Sequence, residues 1–374
     1  MVKLLFIFLF STLVRAQGLE HQWSETFEFS SIGKWAIQNR SNPYNLRFSQ
    51  LSETIKRGKL HALKYPVSVT ALLFPYGVFE KAFDETPVNS PARKLIYKLL
   101  RLSSGYKTKK EFFDYAGHIQ YPESDEQNYS NIAYPIEKDR GLPMGGTLIN
   151  RYQSEGLTFG CASCHAADLF GKKVLGLSTR FPKGNELFFD AKKMKKNYRR
   201  SVGKYILGMS DGELKMMADT LETLDWVKTK KPVVLGLDTS LSQVGASLHY
   251  RQKDEYASKI KQNVVKPHIL ESKAADSKPA VWWNLKYKTR WLSDGSLVSG
   301  NPVYTNFLWN EIGRGADLKE LEGWIDQNQS TIKELTTAVF STEAPNYLDF
   351  FNEKELNLQK AMRGEKQFIK YCQS

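Results

Sequence analysis

The sequence predicts a mainly α protein with long loops and minor β structure. Apolar residues recur at helical spacing in several stretches, and turn-forming residues crowd the segments between them. No alternation typical of a βαβ unit surrounds the one close pair of cysteines. With 374 residues, 41% of them hydrophobic and 25% charged, the chain has enough material for one large domain or two ordinary ones.

The clearest predicted helix lies in "NSPARKLIYKLLRLSSG". Ser90 is placed to cap it, Pro91 suits its first turn, and Gly105 ends it. Its apolar stripe consists of Leu95, Ile96, Leu99 and Leu100.

Residues 121–150 contain several Pro and Gly residues and are predicted to form a turn-rich connection. Residues 189–227, which follow the cysteine pair, predict helices with a break near 208–212, where Asp211 is placed to cap the second helix.

Farther along the chain, "KKPVVLGLDTS" predicts a short strand or a loop. Residues 278–309 are rich in Trp, Tyr, Gly and Pro and predict an irregular, tightly packed loop. Helices are expected again at 319–340 and from 353 onward.

Residues 1–16 have the pattern of a secretory signal peptide. Lys3 gives a positive start, residues 4–10 are an unbroken apolar run, and Val14-Arg15-Ala16 resembles a cleavage site. An uncleaved membrane anchor is the alternative, but the apolar run falls short of the roughly 20 residues that a spanning helix needs. We therefore expect export to the periplasm and a mature chain without a transmembrane segment.

The chain is strongly basic, with a net charge of +13, which falls to +11 when Lys3 and Arg15 leave with the signal peptide. In an exported protein this charge argues against nucleic acid as a partner. It favours an acidic redox partner or an anionic membrane surface, since net charge mainly governs steering and association. The densest basic run, residues 192–200, is predicted as a solvated helix face rather than a docking patch.

The chemistry of the sequence centres on "GCASCHAADLFG", which begins at Gly160. Cys161, Cys164 and His165 have the spacing that places two thiols and an imidazole on one face of a helical turn. Covalent haem attachment needs this arrangement, because the thiols add to the porphyrin vinyl groups and the imidazole reaches the iron. Only about 4 chance matches are expected in 10,000 chains of this composition. The motif therefore predicts one haem c, with His165 as an iron ligand.

Two other interpretations of the cysteine pair stay open. A structural zinc site needs four ligands, usually as two separated pairs, and Cys372 is the only other cysteine. A thioredoxin-like dithiol is expected on a βαβ scaffold.

The sequence assigns no sixth ligand to the iron and no catalytic residue. A Met sulfur would suit electron transfer, whereas an open position would let O₂ or peroxide bind. Downstream candidates are more simply explained as core or surface residues. They are Met209, Met216, Met217, His249 and His268.

The tail "LQKAMRGEKQFIKYCQS" holds the third cysteine. Ala361, Gly364, Phe368 and Cys372 recur at helical spacing. Many c-type cytochromes have such a stretch leading into C-x-x-C-H, so Cys372 is expected to open a second haem motif that the chain does not complete. The alternative is a natural terminus with an unpaired thiol, which is unusual in an exported protein.

From about Glu137 the chain resembles the di-haem cytochrome c peroxidase superfamily, and more closely its larger members of the rubber-oxygenase kind. The resemblance covers residues 137–374, whereas residues 17–136 match nothing. It is carried by "GLPMGG", "GLTFGCASCHAADLFGKKVLGL", "KPAVWWNLKYKTRWLSDGSLVSGNP" and "STEAPNYLDFFNEKELNLQKAMRGEKQFIKYC".

The resemblance implies a cytochrome c-like haem domain with an aromatic-rich loop insertion at residues 137–352 and the start of a second such domain at 353–374. It also implies a redox enzyme that activates peroxide or O₂ at one haem and receives electrons at the other from a small redox partner protein. Because the second His is missing, this chain cannot ligate a second haem in the usual way.

A non-enzymatic electron-transfer cytochrome is the main alternative function. The length of the chain and its long loops favour the enzyme. A group of aromatic residues is predicted mainly to pack a core or an interface, and the sharper hypothesis is a role in lining the haem pocket or relaying electrons. Its members are Trp282, Trp283, Tyr287, Trp291, Tyr304 and Trp309.

Overall fold

The computed structural model describes residues 41–84, 88–196, 198–227, 230–238, 276–288 and 301–372, together with Val244, Ser247 and Tyr250. The predicted signal peptide, His249, His268 and Trp291 lie outside these residues. About 54% of the described residues are helical and 9% lie in strands, so the predicted mainly α class is confirmed. None of the described helices is long and apolar enough to cross a bilayer.

The helices are named in chain order. They are α1 (Phe48–Leu63), α2 (Tyr76–Phe83), α3 (Pro91–Ser104), α4 (Lys109–Tyr115), α5 (Cys161–Cys164), α6 (Gly184–Lys195), α7 (Asp211–Val227), α8 (Trp282–Leu285), α9 (Pro302–Gly313), α10 (Leu318–Gln327), α11 (Gln329–Phe340) and α12 (Leu358–Cys372). The strands are β1 (Phe74–Pro75), β2 (Gly146–Arg151), β3 (Ser154–Phe159), β4 (Ala166–Leu169) and β5 (Lys172–Leu175).

One β-hairpin precedes the cysteine pair in the sequence, and a second hairpin follows it. The first belongs to an antiparallel sheet of order β1-β3-β2, in which Leu148 lies opposite Leu157. The second pairs β4 with β5 directly after His165. The sequence predicts only a minor β content and neither hairpin, because these short strands mix Gly, Lys and Glu with apolar residues and lack clear alternation.

The largest buried cluster surrounds α5 and is built from α1, α8, α9, α10 and α11. Its contributors include Leu63, Trp282, Phe307 and Phe340, each at most 3% exposed. Cys161 belongs to the same cluster. The predicted motif is therefore part of the protein core.

Helix α1 lies against α11 at very short range. A Cβ atom at Gly58 would lie 2.0 Å from the carbonyl oxygen of Glu334 and 2.7 Å from the Cβ atom of Ala338. An ion pair and a hydrogen bond flank this contact, since Arg57 and His61 approach the Glu334 carboxylate at 2.6 and 2.8 Å. Only glycine allows the two backbones to approach this closely.

The predicted helix that starts after Ser90 is confirmed as α3. The Ser90 side chain accepts a hydrogen bond from the backbone N–H of Arg93, and Gly105 ends the helix with φ of +80°. Its apolar stripe does not enter the core, because Leu95 and Leu99 are 58% and 56% exposed. Tyr97 is the buried residue of this helix.

The predicted cap of helix α7 is wrong by one residue. Asp211 is the first residue of the helix, and Ser210 before it makes the capping contacts. The Ser210 hydroxyl accepts from the N–H of Glu213 at 3.1 Å, and the Glu213 carboxylate accepts from the N–H of Ser210 at 2.8 Å. This reciprocal pair satisfies two N–H groups at the start of the helix.

The prediction of an irregular loop at residues 278–309 is wrong in both parts of this stretch that the structure describes. Residues 278–288 include α8, and residues 301–309 include the start of α9. The turn-rich connection predicted from 121 holds as far as Gly146, where β2 begins. Residues 230–238 form a loop with one isolated bridge to Ser277. The helices predicted at 319–340 and from 353 are confirmed as α10, α11 and α12.

The contact between α1 and α11 predicts opposite effects for two glycine substitutions. Gly58→Ala should lower the free energy of unfolding by about 1–3 kcal/mol, because the methyl group overpacks the contact with Glu334. Gly323→Ala in α10 has no atom within 4 Å of the new methyl group and should raise it by about 0.5–1 kcal/mol. Urea unfolding of both variants measures the difference, and equal effects would contradict the close contact.

Candidate functional site

The structure brings the predicted site residues Cys161, Cys164 and His165 onto one turn. Helix α5 contains only this turn, which the backbone N–H of His165 closes by donating to the carbonyl of Cys161 at 2.9 Å. Cys161 is buried, whereas Cys164 and His165 are partly buried. Both cysteines are free thiols.

The backbone of this turn is held from two sides. On one side Gly145 lies so close that a Cβ atom there would be 2.3 Å from the backbone nitrogen of Ser163, and φ of Gly145 is +84°. On the other side the Thr179 hydroxyl donates to the carbonyls of Ser163 and Ala166, each at 2.9 Å. The Thr179 N–H donates to the carbonyl of Cys164 at 3.0 Å. These contacts fix the turn before any side chain of the motif contributes.

The hairpin that follows the motif positions Trp282 against His165. Gly176 donates its N–H to the His165 carbonyl at 2.7 Å, and Trp282 donates its N–H to the Gly176 carbonyl at 2.9 Å. The ring centroids of His165 and Trp282 are 5.9 Å apart, with an angle of 41° between the ring planes. The chain thus places an indole directly beside the imidazole.

Burial keeps the His165 imidazole neutral. Desolvation lowers its pKa to about 4, and the backbone of Ala280 offsets only part of that shift. The Nδ1 atom is buried and has no hydrogen-bond partner within the part of the chain that the structure describes. A neutral imidazole is the form that binds a metal ion.

Burial also keeps both thiols protonated. It raises the pKa of Cys161 to about 11 and that of Cys164 to about 12, although the positive charge of Arg314 acts in the opposite direction at each. Cysteines that exchange disulfides have lowered pKa values, because the thiolate is the reactive form. The arrangement therefore suits a pair of thiols held in an apolar environment and not a reactive dithiol.

A buried polar network lies next to the thiols. Arg314 donates to the carbonyl of Phe159 at 2.7 Å and lies 3.3 Å from the carboxylate of Glu311. The Tyr65 hydroxyl donates to the same carboxylate at 2.6 Å, and the guanidinium lies 4.9 Å from the Tyr65 ring centroid. Desolvation raises the pKa of Glu311, and the Arg314 charge opposes this rise. The network connects α9 to the end of β3, two residues before Cys161.

The zinc interpretation gains no support from the geometry. No group of three or more His, Cys, Asp or Glu side chains in the described ranges is arranged to hold a metal ion. The two thiols and the imidazole of the motif are thus not arranged as three ligands of one tetrahedral site.

The methionines considered as iron ligands, and more simply explained as core residues, lie in other parts of the core. Met209 and Met217 belong to a cluster with Val78 and Tyr97, and Met216 packs with Leu73 and Ile149. Neither cluster includes Cys161, so these three methionines act as core residues. Met144, which the sequence analysis does not single out, is fully buried in the cluster of Cys161.

Of the predicted aromatic group, Trp282 is the member that the structure places against His165. Trp283, Tyr304 and Trp309 are partly buried, and Tyr287 is 57% exposed. Cys372 is exposed and ends α12, a helix without a buried residue. The structure therefore does not bring Cys372 into the buried cluster of Cys161.

Sequence reasoning missed several residues of the site, and only some of them have a local pattern that could have indicated their role. Glu311 and Arg314 stand three residues apart at the end of an otherwise apolar helix, a pattern that could have indicated a buried ion pair. Tyr65 and Met144 have no local signal, since only the folded chain brings them to the cluster of Cys161.

Comparison of this chain with protein-family models, with curated proteins and with solved structures finds no match in any of the three.

The contact of Gly145 with the motif predicts a specific effect of substitution. Gly145→Ala should disturb the turn, because the new methyl group would collide with the backbone of Ser163. Gly171→Ala is the matched control, since φ of Gly171 is +83° and no atom lies within 4 Å of its added methyl group. Both variants incur the strain of a left-handed residue, about 1–2 kcal/mol. Gly145→Ala should in addition expose Cys161 to thiol reagents, and equal labelling in both variants would contradict the contact.

The raised thiol pKa values predict slow alkylation. In chain made without haem, iodoacetamide at pH 7 should modify Cys161 and Cys164 at least about tenfold more slowly than the exposed Cys372, because few thiolates form. Raising the pH to 9 should speed their reaction by about a hundredfold, since the thiolate fraction rises tenfold per pH unit below the pKa. Peptide mass spectrometry of each cysteine gives the rates, and fast labelling of the pair at pH 7 would revive the dithiol interpretation.

Proposed function

We propose that this chain is an exported c-type cytochrome that carries one haem c on Cys161 and Cys164, with His165 as the proximal iron ligand. The observation that carries the proposal is the C-x-x-C-H sequence on a single buried turn, with free thiols and an unpartnered imidazole nitrogen. C-x-x-C-H at this spacing is the attachment motif of c-type haem.

The residues around the motif fit such a group. Its two thiols are free to form thioethers, and its imidazole is neutral, as binding to iron requires. The surrounding cluster is apolar, which suits a porphyrin, and Arg314 offers a cation beside it. When bound, the haem supplies a one-electron iron centre whose potential depends on its axial ligands and on burial.

The residues of the chain itself would have separate roles. Gly145 and Thr179 hold the backbone of the attachment turn, and Trp282 restricts the His165 ring. A ligating imidazole usually donates its second nitrogen to a backbone carbonyl, and a hydrogen bond between the His165 ring and the backbone of Ala280 raises the pKa of His165.

We further propose a redox role of the di-haem peroxidase or oxygenase kind, with peroxide or O₂ as the oxidant and a small protein as the electron donor. The net charge of +11 that remains without Lys3 and Arg15 supports an acidic donor, because opposite charges steer two proteins together. Location in the periplasm rests on the signal-peptide pattern of residues 1–16.

The intact mass of the exported protein, made in a host that attaches c-type haem, tests the proposal. We expect the mass of the chain from Gln17 plus one haem. A Cys161→Ala, Cys164→Ala double variant should carry no haem, whereas Cys372→Ser should still carry one. A wild-type chain without added mass, or a double variant with it, would contradict the proposal.

A further inference from the structure

A buried tyrosine lies directly against the start of the attachment turn. A Cβ atom at Gly160 would be 2.9 Å from the Cβ atom of Tyr65, and Gly160 is the residue before Cys161. The backbone N–H of Tyr65 donates to the Thr147 hydroxyl of β2 at 2.9 Å. Tyr65 is 3% exposed and belongs to the same buried cluster as Cys161. Any group bonded to the Cys161 sulfur therefore starts in the cluster that holds this phenol.

The Tyr65 hydroxyl donates to a carboxylate rather than to a backbone carbonyl. Its oxygen is 2.6 Å from the Oε1 atom of Glu311, a residue with no exposed surface. The contrast is Tyr97, which is also buried but donates to the carbonyl of Leu207 at 2.7 Å. A carboxylate can take up a phenolic proton and keep it, whereas a backbone carbonyl cannot.

Arg314 keeps Glu311 in a form that accepts a proton. A guanidinium group stays charged in proteins, and a buried charge needs an anion beside it. The Glu311 carboxylate lies 3.3 Å from Arg314 and supplies that anion. Burial raises the pKa of Glu311 overall, although its polar neighbours act to lower it. These neighbours are Arg314, Tyr65, Thr70 and Arg151. Glu311 is therefore a stronger base than an exposed glutamate.

The phenol resists losing its proton alone. Burial and the charge of Glu311 raise the pKa of Tyr65 well above its usual value, and the Arg314 charge offsets only part of the rise. Removal of an electron makes the O–H of a phenol strongly acidic, so the proton then crosses the 2.6 Å hydrogen bond to Glu311. The product is a neutral tyrosyl radical, and no phenolate or phenol cation has to be buried.

We propose that Tyr65 is a redox-active tyrosine, which loses one electron to the haem centre when peroxide oxidises the protein and passes its phenolic proton to Glu311. This inference rests on the proposed function. Hydrogen peroxide takes up two electrons and two protons as its O–O bond breaks and two molecules of water form. Tyr65 supplies one electron, the haem iron supplies the other, and solvent supplies the protons. Two electrons from the donor protein restore the iron and Tyr65, to which Glu311 returns the proton.

The surroundings of the ring suit a radical that waits for its electron. The Phe307 ring meets Tyr65 edge to face, with centroids 6.1 Å apart, and the Arg314 guanidinium lies 4.9 Å from the Tyr65 centroid. These groups and the burial of the ring keep solvent reductants away from it.

The test uses the full chain with haem attached, mixed with hydrogen peroxide and frozen within seconds. Wild-type protein should give the electron paramagnetic resonance signal of a tyrosyl radical, which ring-deuterated tyrosine should narrow. Tyr65→Phe should lose this signal. Tyr97→Phe is the matched control and should keep it, because the Tyr97 hydroxyl donates to a carbonyl. Glu311→Gln should slow the formation of the radical about a hundredfold, the contribution that a positioned base makes to a proton transfer.

A second substitution keeps the test decisive if Tyr65→Phe does not fold. Incorporation of 3-fluorotyrosine in place of Tyr65 keeps the hydroxyl that binds Glu311. Its fluorine should add a further splitting to the radical signal, and the same amino acid in place of Tyr97 should add none.

The outcomes separate the two proposals. Haem present by mass, with no tyrosyl signal in the wild type or with a radical on Trp282 beside His165, would overturn the role of Tyr65 and leave the attachment site intact. A signal that persists in Tyr65→Phe, or that shows no fluorine splitting, would do the same. Unchanged kinetics in Glu311→Gln would overturn the transfer of the proton to Glu311. A wild-type chain without haem would overturn the cytochrome assignment itself.

Discussion

The geometry of the site depends on one backbone contact, between Gly145 and the turn Cys161–Cys164. The turn has a single internal hydrogen bond to His165 and would not be stable alone, since one helical turn is costly to nucleate. Its shape is imposed by what surrounds it, with Gly145 on one side and Thr179 on the other. The strands β2 and β3 bring Gly145 to this place, because the N–H of Gly160 donates to its carbonyl at 2.7 Å.

Burial determines the electrostatic state of the same region. Both thiols are protonated, and His165 is neutral because desolvation disfavours its charged form. Arg314 and Glu311 compensate each other within the network. The surroundings of the motif therefore hold little net charge. A metal centre placed there would carry the largest local charge, and its change of oxidation state would be felt by all of these groups.

The sequence predicts the parts of this protein that are determined by interactions between residues close in sequence. The helix capped by Ser90, the helical spacing of Cys161 to His165 and the helices near the end of the chain depend on neighbours within a few residues, and all are found. The two hairpins are missed because their strands are held by pairing and burial rather than by a pattern of their own.

The partners of the motif are missed for a related reason. Tyr65 and Arg314 lie near it although 96 or more positions of sequence separate them from Cys161, and nothing near either residue indicates this contact with the motif. The apolar stripe of α3 shows the opposite error, a sequence pattern that predicts burial where the structure has none. Its leucines have the spacing of a buried face, but the buried contact of that helix is made by Tyr97, which donates to the Leu207 carbonyl at 2.7 Å.

The pairing of α1 with α11 has a consequence for timing. Arg57 and Glu334 meet although 277 positions separate them, so this wall of the core closes only when nearly the whole described chain has emerged. Residues 161–165 emerge long before α11 does. Until then the two thiols lack part of their cover and are more accessible than in the finished fold. The order in which residues 161–165 and α11 emerge thus determines when the two cysteines are accessible.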